Sequence, residues 1–321
     1  MNIHLKDEFR DLIEITAEYM KLDKRIVEKD YWVTYALKKL ANSEFVDKII
    51  FRGGTSLTKC YSDLSRFSED IDLAINLYDG ISKSQVKKLV GMGEKIMCDE
   101  FIESTEANNV KGGEFREVEY IYNTLFSDSD TQMNELNPKI KIESVTFLHP
   151  NPYERREVKS FLFDYLNERS MVDLIKEYGL EPFSLNVLSI KRTVIDKLVC
   201  LVRMSYESNL SELRTKTRHL YDIHMTYENL KDFYNNEEEL RNIIKLTRAD
   251  EESPKSLFKE KYPYKEKWSE SPLFRILDSS IIKDSYEKHF CAEFVYGEYP
   301  FYEDIIKTFD LIKTHLKNIG E

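Results

Sequence analysis

Apolar residues recur at helical spacing from Asp7 to Leu40, first at Phe9, Leu12, Ile13, Ile15, Tyr19 and Met20, then at Ile26, Tyr31, Trp32, Tyr35 and Leu37, which predicts two helices. The run Lys48 to Arg52 ends at Gly53-Gly54 and reads as a strand, Thr55 to Cys60 as the start of a helix, and Ile71 to Asn76 as a strand with alternating pattern. Ser84 to Phe101 is again helical in period. Further on, Val, Ile, Tyr and Phe gather in four short runs, Phe115 to Phe126, Lys139 to Phe147, Lys159 to Tyr165 and Phe183 to Leu188, separated by polar or proline-containing loops. Such runs predict the strands of a mixed sheet. After Ser189 the period is helical again, through Val194, Leu198, Leu201, Val202, Leu220 and Ile223. Ala249 to Glu270 is polar, carries Pro254 and Pro263, and reads as a long loop. The expected architecture is therefore α+β: a mixed-sheet domain with N-terminal helices over residues 1–188, then a helical domain over 189–321.

Composition narrows the class. A chain of 321 residues is long enough for about two domains with cores of their own. No stretch approaches the roughly 20 apolar residues needed to span a bilayer, and Met1 to Arg10 holds charges where a signal peptide needs an apolar run. A cytoplasmic protein without membrane contact is the expectation. Cys60, Cys98, Cys200 and Cys291 lie far apart with no C-x-x-C pairing, so neither a zinc site nor a disulfide framework is indicated. A net charge of −11 argues against a basic coat for nucleic acid, and strong duplex DNA binding is not expected; any such partner must be held by a local patch.

The candidate chemistry begins at Phe51-Arg-Gly-Gly-Thr-Ser-Leu-Thr-Lys59, where two glycines stand between an apolar strand and a helix. Glycine lets backbone approach a ligand closely, and a helix N-terminus presents free N–H groups and partial positive charge, both suited to phosphate. The candidates for holding it are Gly53, Gly54, Thr55 and Ser56. No Gly-Lys pair completes a Walker loop, and a Gly-Gly turn alone equally describes a plain strand-to-helix connection. About 16 residues on, Phe67-Ser-Glu-Asp-Ile-Asp-Leu-Ala-Ile75 places Asp70 and Asp72 two apart at the start of a strand. Alternation puts both carboxylates on one face, with Ile71, Leu73 and Ile75 on the other. Alone, a D-x-D describes a solvated edge strand; beside a phosphate turn, it describes a cation site. A third carboxylate is expected where two metals serve phosphoryl transfer. Glu143 qualifies, since in Lys139-Ile-Lys-Ile-Glu-Ser-Val145 it shares the polar face with Lys139 and Lys141, although there it could equally be an ordinary cross-strand partner of lysine.

The sequence G-G-T-S-L followed by R-F-S-E-D-I-D-L resembles the AbiEii/AbiGii (MenT-like) toxin family of the nucleotidyltransferase superfamily. Glu28-Lys-Asp-Tyr-Trp32 resembles that family's N-terminal helix, Lys139 to Ser144 its third-carboxylate strand, and Asn186 to Leu201, with Lys197, its lysine helix. Arg214-Thr-Lys-Thr-Arg-His-Leu-Tyr-Asp222 resembles its basic R-x-K-x-R-D-L-Y-D segment, with His219 standing where an acidic residue is expected. The resemblance implies a nucleotidyltransferase-type sheet domain followed by a helical domain. It further implies the toxin of a toxin–antitoxin or phage-defence pair, with NTP as substrate, a cognate antitoxin, and an acceptor that in some relatives is the 3′ end of tRNA.

Between Lys191 and Arg218, seven basic residues (Lys191, Arg192, Lys197, Arg203, Arg214, Lys216 and Arg218) stand against Asp196, Glu207 and Glu212, a positive stretch suited to triphosphate or RNA backbone. Lys197 sits among Val194, Leu198 and Leu201, which predicts a part-buried stem with a directed ammonium. Arg218 and Asp222 are one helical turn apart and could form an i,i+4 pair, or Asp222 could orient Arg218 or Lys197 against phosphate. The full expectation is a site in the cleft between the two domains. Asp70, Asp72 and Glu143 would hold two Mg²⁺ ions, the Gly53 to Ser56 turn the phosphates, and Lys197, Arg218 and Asp222 the charge that develops as pyrophosphate departs. Two other classes compete: a nucleotide-binding module that occupies a protein partner without turnover, and a metal-dependent phosphodiesterase using the same carboxylates.

Overall fold

The computed structural model describes residues 2–61, 64–77, 81–127, 136–252 and 262–321. Two compact units emerge, one comprising Met1–Ser62 and Ser68–Val187, the other Asp63–Phe67 and Leu188–Glu321.

The first unit runs α1 (Phe9–Met20), α2 (Lys24–Ala41), β1 (Ile49–Arg52), α3 (Gly53–Cys60), β2 (Ile71–Ile75), α4 (Lys83–Met97), β3 (Ile102–Glu103), β4 (Val110–Lys111), β5 (Phe115–Ile121), β6 (Lys139–Val145), β7 (Tyr153–Val158), α5 (Phe161–Glu168), α6 (Val172–Tyr178) and β8 (Phe183–Leu188). The strands form one sheet in the order β3-β5-β6-β2-β1-β8-β7, with β4 on β5. β1 pairs antiparallel with β2 and parallel with β8, and β2 runs parallel to β6, so the sheet is mixed as expected. Ile71, Leu73, Ile140, Ile142 and Val118 enter the core together with Trp32 and Leu37 of α2. Removing each such side chain from water contributes roughly 1.5–3 kcal/mol.

Helix α2 is capped by Asp23, whose side chain accepts from the Arg25 N–H at 2.8 Å, and is buried along most of its length. Its burial takes in three consecutive charged residues, each of which is satisfied by the fold. Glu28 accepts from Leu125 N–H at 2.7 Å and Thr124 Oγ1 at 2.6 Å. Lys29 donates to Asn137 O at 3.0 Å and to the Glu69 carboxylate. Asp30 accepts from Phe161 N–H at 2.8 Å and pairs with Lys59, which also donates to Thr34 Oγ1 at 2.7 Å.

The segment Lys159 to Tyr165, expected as a strand, is instead the start of a helix. Ser160 caps it by accepting from Phe163 N–H, and Leu162 and Leu166, one turn apart, are buried. The strand precedes it, at Tyr153–Val158, an edge of the sheet whose Tyr-Glu-Arg-Arg-Glu-Val sequence gives no apolar alternation. Charged edge strands of this kind resist pairing with other chains.

The second unit is helical: α7 (Ile190–Met204), α8 (Ser211–Thr215), α9 (Arg218–Tyr227), α10 (Lys231–Asn235), α11 (Glu237–Glu252), α12 (Leu273–Ile276), α13 (Ser280–Asp284), α14 (Ala292–Phe294) and α15 (Tyr302–Asn318). The polar segment expected as a loop begins inside α11, which continues to Glu252; residues 253–261 lie outside the described residues. The short segment Asp63–Phe67 groups with this unit, and Ser65 to Phe67 are fastened to it through their backbone. Ser65 N–H donates to Tyr221 Oη at 3.2 Å, Tyr296 N–H to Ser65 O at 3.0 Å, and Phe67 N–H to Phe294 O at 2.8 Å, while Arg66 bridges Val295. No helix among the described residues is long and apolar enough to cross a membrane.

Candidate active site

Sheet register assembles the acidic centre. Asp72 stands opposite Glu143 across the parallel β2–β6 pair, Arg52 stands opposite Asp72 on β1, and Glu117 stands opposite Glu143 on β5. Residues directly opposite share a face, so these four form a lateral row of one arginine and three carboxylates. No lysine faces Glu143 across either neighbouring strand, so it is not the ordinary lysine partner it could have been. Asp70 lies just before β2, with its carboxylate 3.8 Å from Lys141 Nζ, which is also 3.8 Å from Glu117. Burial alone would lower the Lys141 ammonium; the charges of Asp70, Glu117, Glu143 and Asp72 outweigh it and raise the group. Glu143 is raised to about 7, by burial first and by the Asp72 charge second, against the opposing pull of Arg52 and Lys141.

Gly53 begins α3 with φ +81°, and a Cβ built on it would lie 1.9 Å from Asp72 Oδ2. The glycine therefore serves two demands, a left-handed backbone and the close approach of the helix start to a carboxylate. The first-turn N–H groups of α3 have no partner within the helix by its geometry. The Thr55 and Ser56 hydroxyls, expected to face phosphate, are both fully buried and used within the protein. Ser56 Oγ donates to Gly53 O at 2.9 Å; Thr55 Oγ1 contacts Ser68 Oγ at 2.9 Å and donates to Asp70 O. Thr55 thus fixes the approach to Asp70, while Lys29 holds Glu69 and Asp30 holds Lys59 at the far end of α3. The Glu28-Lys29-Asp30 motif has its physical reason here: α2 anchors the helix and the loop that carry the candidate residues.

These donors suit a divalent cation in kind. Asp72 and Glu143 offer hard oxygen ligands that stand opposite each other in the β2–β6 register and repel each other when both are ionised. Among the described residues, no three His, Cys, Asp or Glu side chains are gathered into a cage.

The helical unit holds the second cluster. Lys197 on α7 is buried, with Nζ 2.9 Å from Asp222 Oδ2 on α9 and 3.4 Å from His219 Nδ1. Asp222 is fully buried and also grips Arg66, whose Nε donates to Oδ1 at 2.5 Å and Nη2 to Oδ2 at 2.8 Å. The anticipated pairing of Asp222 with Arg218 gives way to this one, because two inward-facing cations already use both carboxylate oxygens. Burial alone would raise Asp222; Arg66 and Lys197 hold it below the usual carboxylate range. Lys197 is lowered, by burial first, and by the charges of Arg66 and Arg218 against the pull of Asp222. His219 is held well below its ordinary value by burial and by the charges of Lys197, Arg218, Lys216 and Arg66.

The basic stretch from Lys191 to Arg218 is not one open surface. Lys191 pairs with Glu239 at 2.5 Å, Arg192 with Asp196 at 2.8 Å and Asp250 at 2.5 Å, and Arg203 with Glu251 at 3.2 Å, while Arg214 donates to Ser285 Oγ at 3.1 Å. Lys216 and Arg218 make no ion pair among the described residues. Helical spacing alone hid this, since the carboxylates that neutralise the stretch come mostly from α11.

The family model for the nucleotidyl transferase AbiEii toxin of type IV TA systems matches residues 35–298. Among solved structures, MenT4, a nucleotidyltransferase toxin from Mycobacterium tuberculosis H37Rv, superposes with a TM-score of 0.57 at 15% identity, covering 97% of this chain and 94% of that one. A putative nucleotidyltransferase from H. pylori gives a TM-score of 0.47 at 13% identity, covering 93% of this chain and 97% of that one. No curated protein matches significantly. With the mixed sheet and the matched segment spanning both clusters, the chain belongs to the AbiEii family of nucleotidyltransferase toxins of type IV toxin–antitoxin systems.

Proposed function

We propose that this toxin transfers a nucleotide from NTP to a hydroxyl at the 3′ end of tRNA, using Mg²⁺ held by Asp72 and Glu143 with Asp70 beside them. The observation that carries the reading is the register pairing of Asp72 with Glu143 next to Gly53 at the start of α3. When bound, two divalent ions would supply charge neutralisation and polarise the phosphoryl oxygens. The residues supply the rest. Backbone N–H groups of Gly53 to Ser56 receive the β and γ phosphates, with Gly54 keeping the turn free of side chain. The Thr55 and Ser56 hydroxyls shape that turn from within. Glu143 faces the acceptor hydroxyl and takes its proton. Lys197, aimed by Asp222, and Arg218 neutralise the departing pyrophosphate. The setting is a cytoplasmic phage-defence pair with a cognate antitoxin.

Incubation with each labelled NTP, Mg²⁺ and total RNA tests this, with one arm using tRNA whose terminal hydroxyls have been oxidised by periodate. Label should enter intact tRNA and not oxidised tRNA. Equal labelling of both removes the 3′ end as acceptor, and shortening of RNA without label incorporation points to a phosphodiesterase instead.

A further inference from the structure

We propose that Arg66 and His219 are positioning residues that together fix the direction and charge state of Lys197, a role resting on the transferase reading above. Arg66 is only 1% exposed and commits two of its guanidinium donors to the two oxygens of Asp222, with a third donor reaching Phe67 O at 3.0 Å. A planar fork on both oxygens leaves the carboxylate no free rotation. Asp222 Oδ2 is thereby presented to Lys197 Nζ at 2.9 Å in one orientation. His219 provides the second restraint. An ammonium has donors only, so the 3.4 Å contact requires His219 Nδ1 to accept, which places the ring proton on Nε2.

The charges around the ammonium show why the imidazole matters. Facing Lys197 are Asp222 from α9, Arg66 from the Asp63–Phe67 segment, Arg218 and His219 from the start of α9, with Lys216 acting on His219 from just before it. Two buried cations, Arg66 and Lys197, share one carboxylate. An acidic residue at position 219 would give the two buried cations a second carboxylate and bind the ammonium as an ion pair. A neutral ring accepts a hydrogen bond without cancelling charge. Lys197 therefore keeps positive charge available to an anion such as a polyphosphate, and its proton is held less firmly than in a matched pair.

The test follows the Lys197 side chain by ¹³Cε NMR across a pH titration of the full-length protein, assigned with Lys197→Arg. His219→Asp should raise the Lys197 midpoint by about one pH unit or more, a tenfold change in the protonation equilibrium. His219→Gln, which keeps a neutral acceptor, should leave the midpoint within a few tenths of a unit of wild type. Arg66→Met should also raise it, by removing a neighbouring positive charge, and Arg66→Lys should restore it in part. The alkaline limb of the pH–rate profile for NTP-dependent pyrophosphate release should move with the NMR midpoint in each folded variant. A midpoint unmoved by His219→Asp overturns the proposal; if Arg66→Met does not fold, the two His219 variants decide. Absence of NTP turnover in wild type would sink the transferase reading alone, because the NMR titration needs no substrate.

Discussion

Gly53 and Asp72 are in such close approach that the smallest side chain at position 53 would collide with the Asp72 carboxylate, its Cβ 1.9 Å from Oδ2 and 2.9 Å from the aspartate's own Cβ. The glycine and the aspartate are thus one feature of the site, although they lie 19 positions apart in the chain.

Gly53→Ala should cost roughly 1–3 kcal/mol from the positive φ alone and should displace Asp72, so that thermal stability and nucleotide affinity fall together. Gly91, inside α4, provides the control. A Cβ there meets nothing within 4 Å, so Gly91→Ala should stabilise by roughly 0.5–1 kcal/mol and leave nucleotide affinity unchanged. Loss of affinity in both variants, measured by calorimetry, would detach the effect from the Asp72 contact.

Asp70→Asn and Asp72→Asn should fold and lose transfer by at least about 10²–10³-fold, because an amide binds a divalent cation far more weakly than a carboxylate. Near-wild-type turnover by either variant rules out its place in cation binding. Asp70→Asn has a second signature: it removes one of the carboxylates that hold up the Lys141 ammonium, which should then titrate lower.

Glu143 links the site to pH. Folding raises its carboxyl from 4.5 to about 7, so the folded state favours the protonated form. That stability is fully present below the unfolded value and is lost as pH rises through about 7. Glu143→Gln is neutral throughout. It should match wild type at about pH 5 and exceed it at about pH 8, by up to about 3 kcal/mol, in thermal melts without divalent cation. An equal shift at both pH values would contradict the burial and Asp72 repulsion described for this group.

Lys29→Met removes the tether on Glu69, whose own side chain can return to water because it is 38% exposed. Stability should change little, while transfer should fall roughly 10–100-fold as the approach to Asp70 loosens. Steady-state kinetics beside a melting curve separates the two. If activity falls only in proportion to folded protein, Lys29 is a packing residue.

Alternation alone placed Asp72 and Glu143 on polar faces, and the Gly-Gly turn marked where α3 begins; both are local patterns that a strand and a helix start impose on their own residues. What sequence could not supply was partnership at long range. Arg66 meets Asp222 across 156 positions, and no periodicity in either segment signals it. The same reason hid the neutralisation of Lys191, Arg192 and Arg203 by α11 and made Ser56 look like a ligand when its hydroxyl turns inward. β7 is hidden because Tyr153-Glu-Arg-Arg-Glu-Val158 puts charged residues on both alternating faces. The helix at Phe161–Glu168 reads as a strand because a run of aromatics fits both, and only the Ser160 cap tells them apart.

The short excursion of Asp63–Phe67 into the helical unit means that the chain passes between units at 62–63, 67–68 and 187–188. A C-terminal fragment beginning at residue 188 would therefore be missing Arg66, leaving its Asp222 with one cation where the intact chain has two. Neither half is a module that recombination could exchange by a single crossover. The motif Arg66-Phe-Ser-Glu-Asp70 answers to two masters: its arginine is held by Asp222 of the helical unit, while the backbone of its acidic end is held by Thr55 of α3.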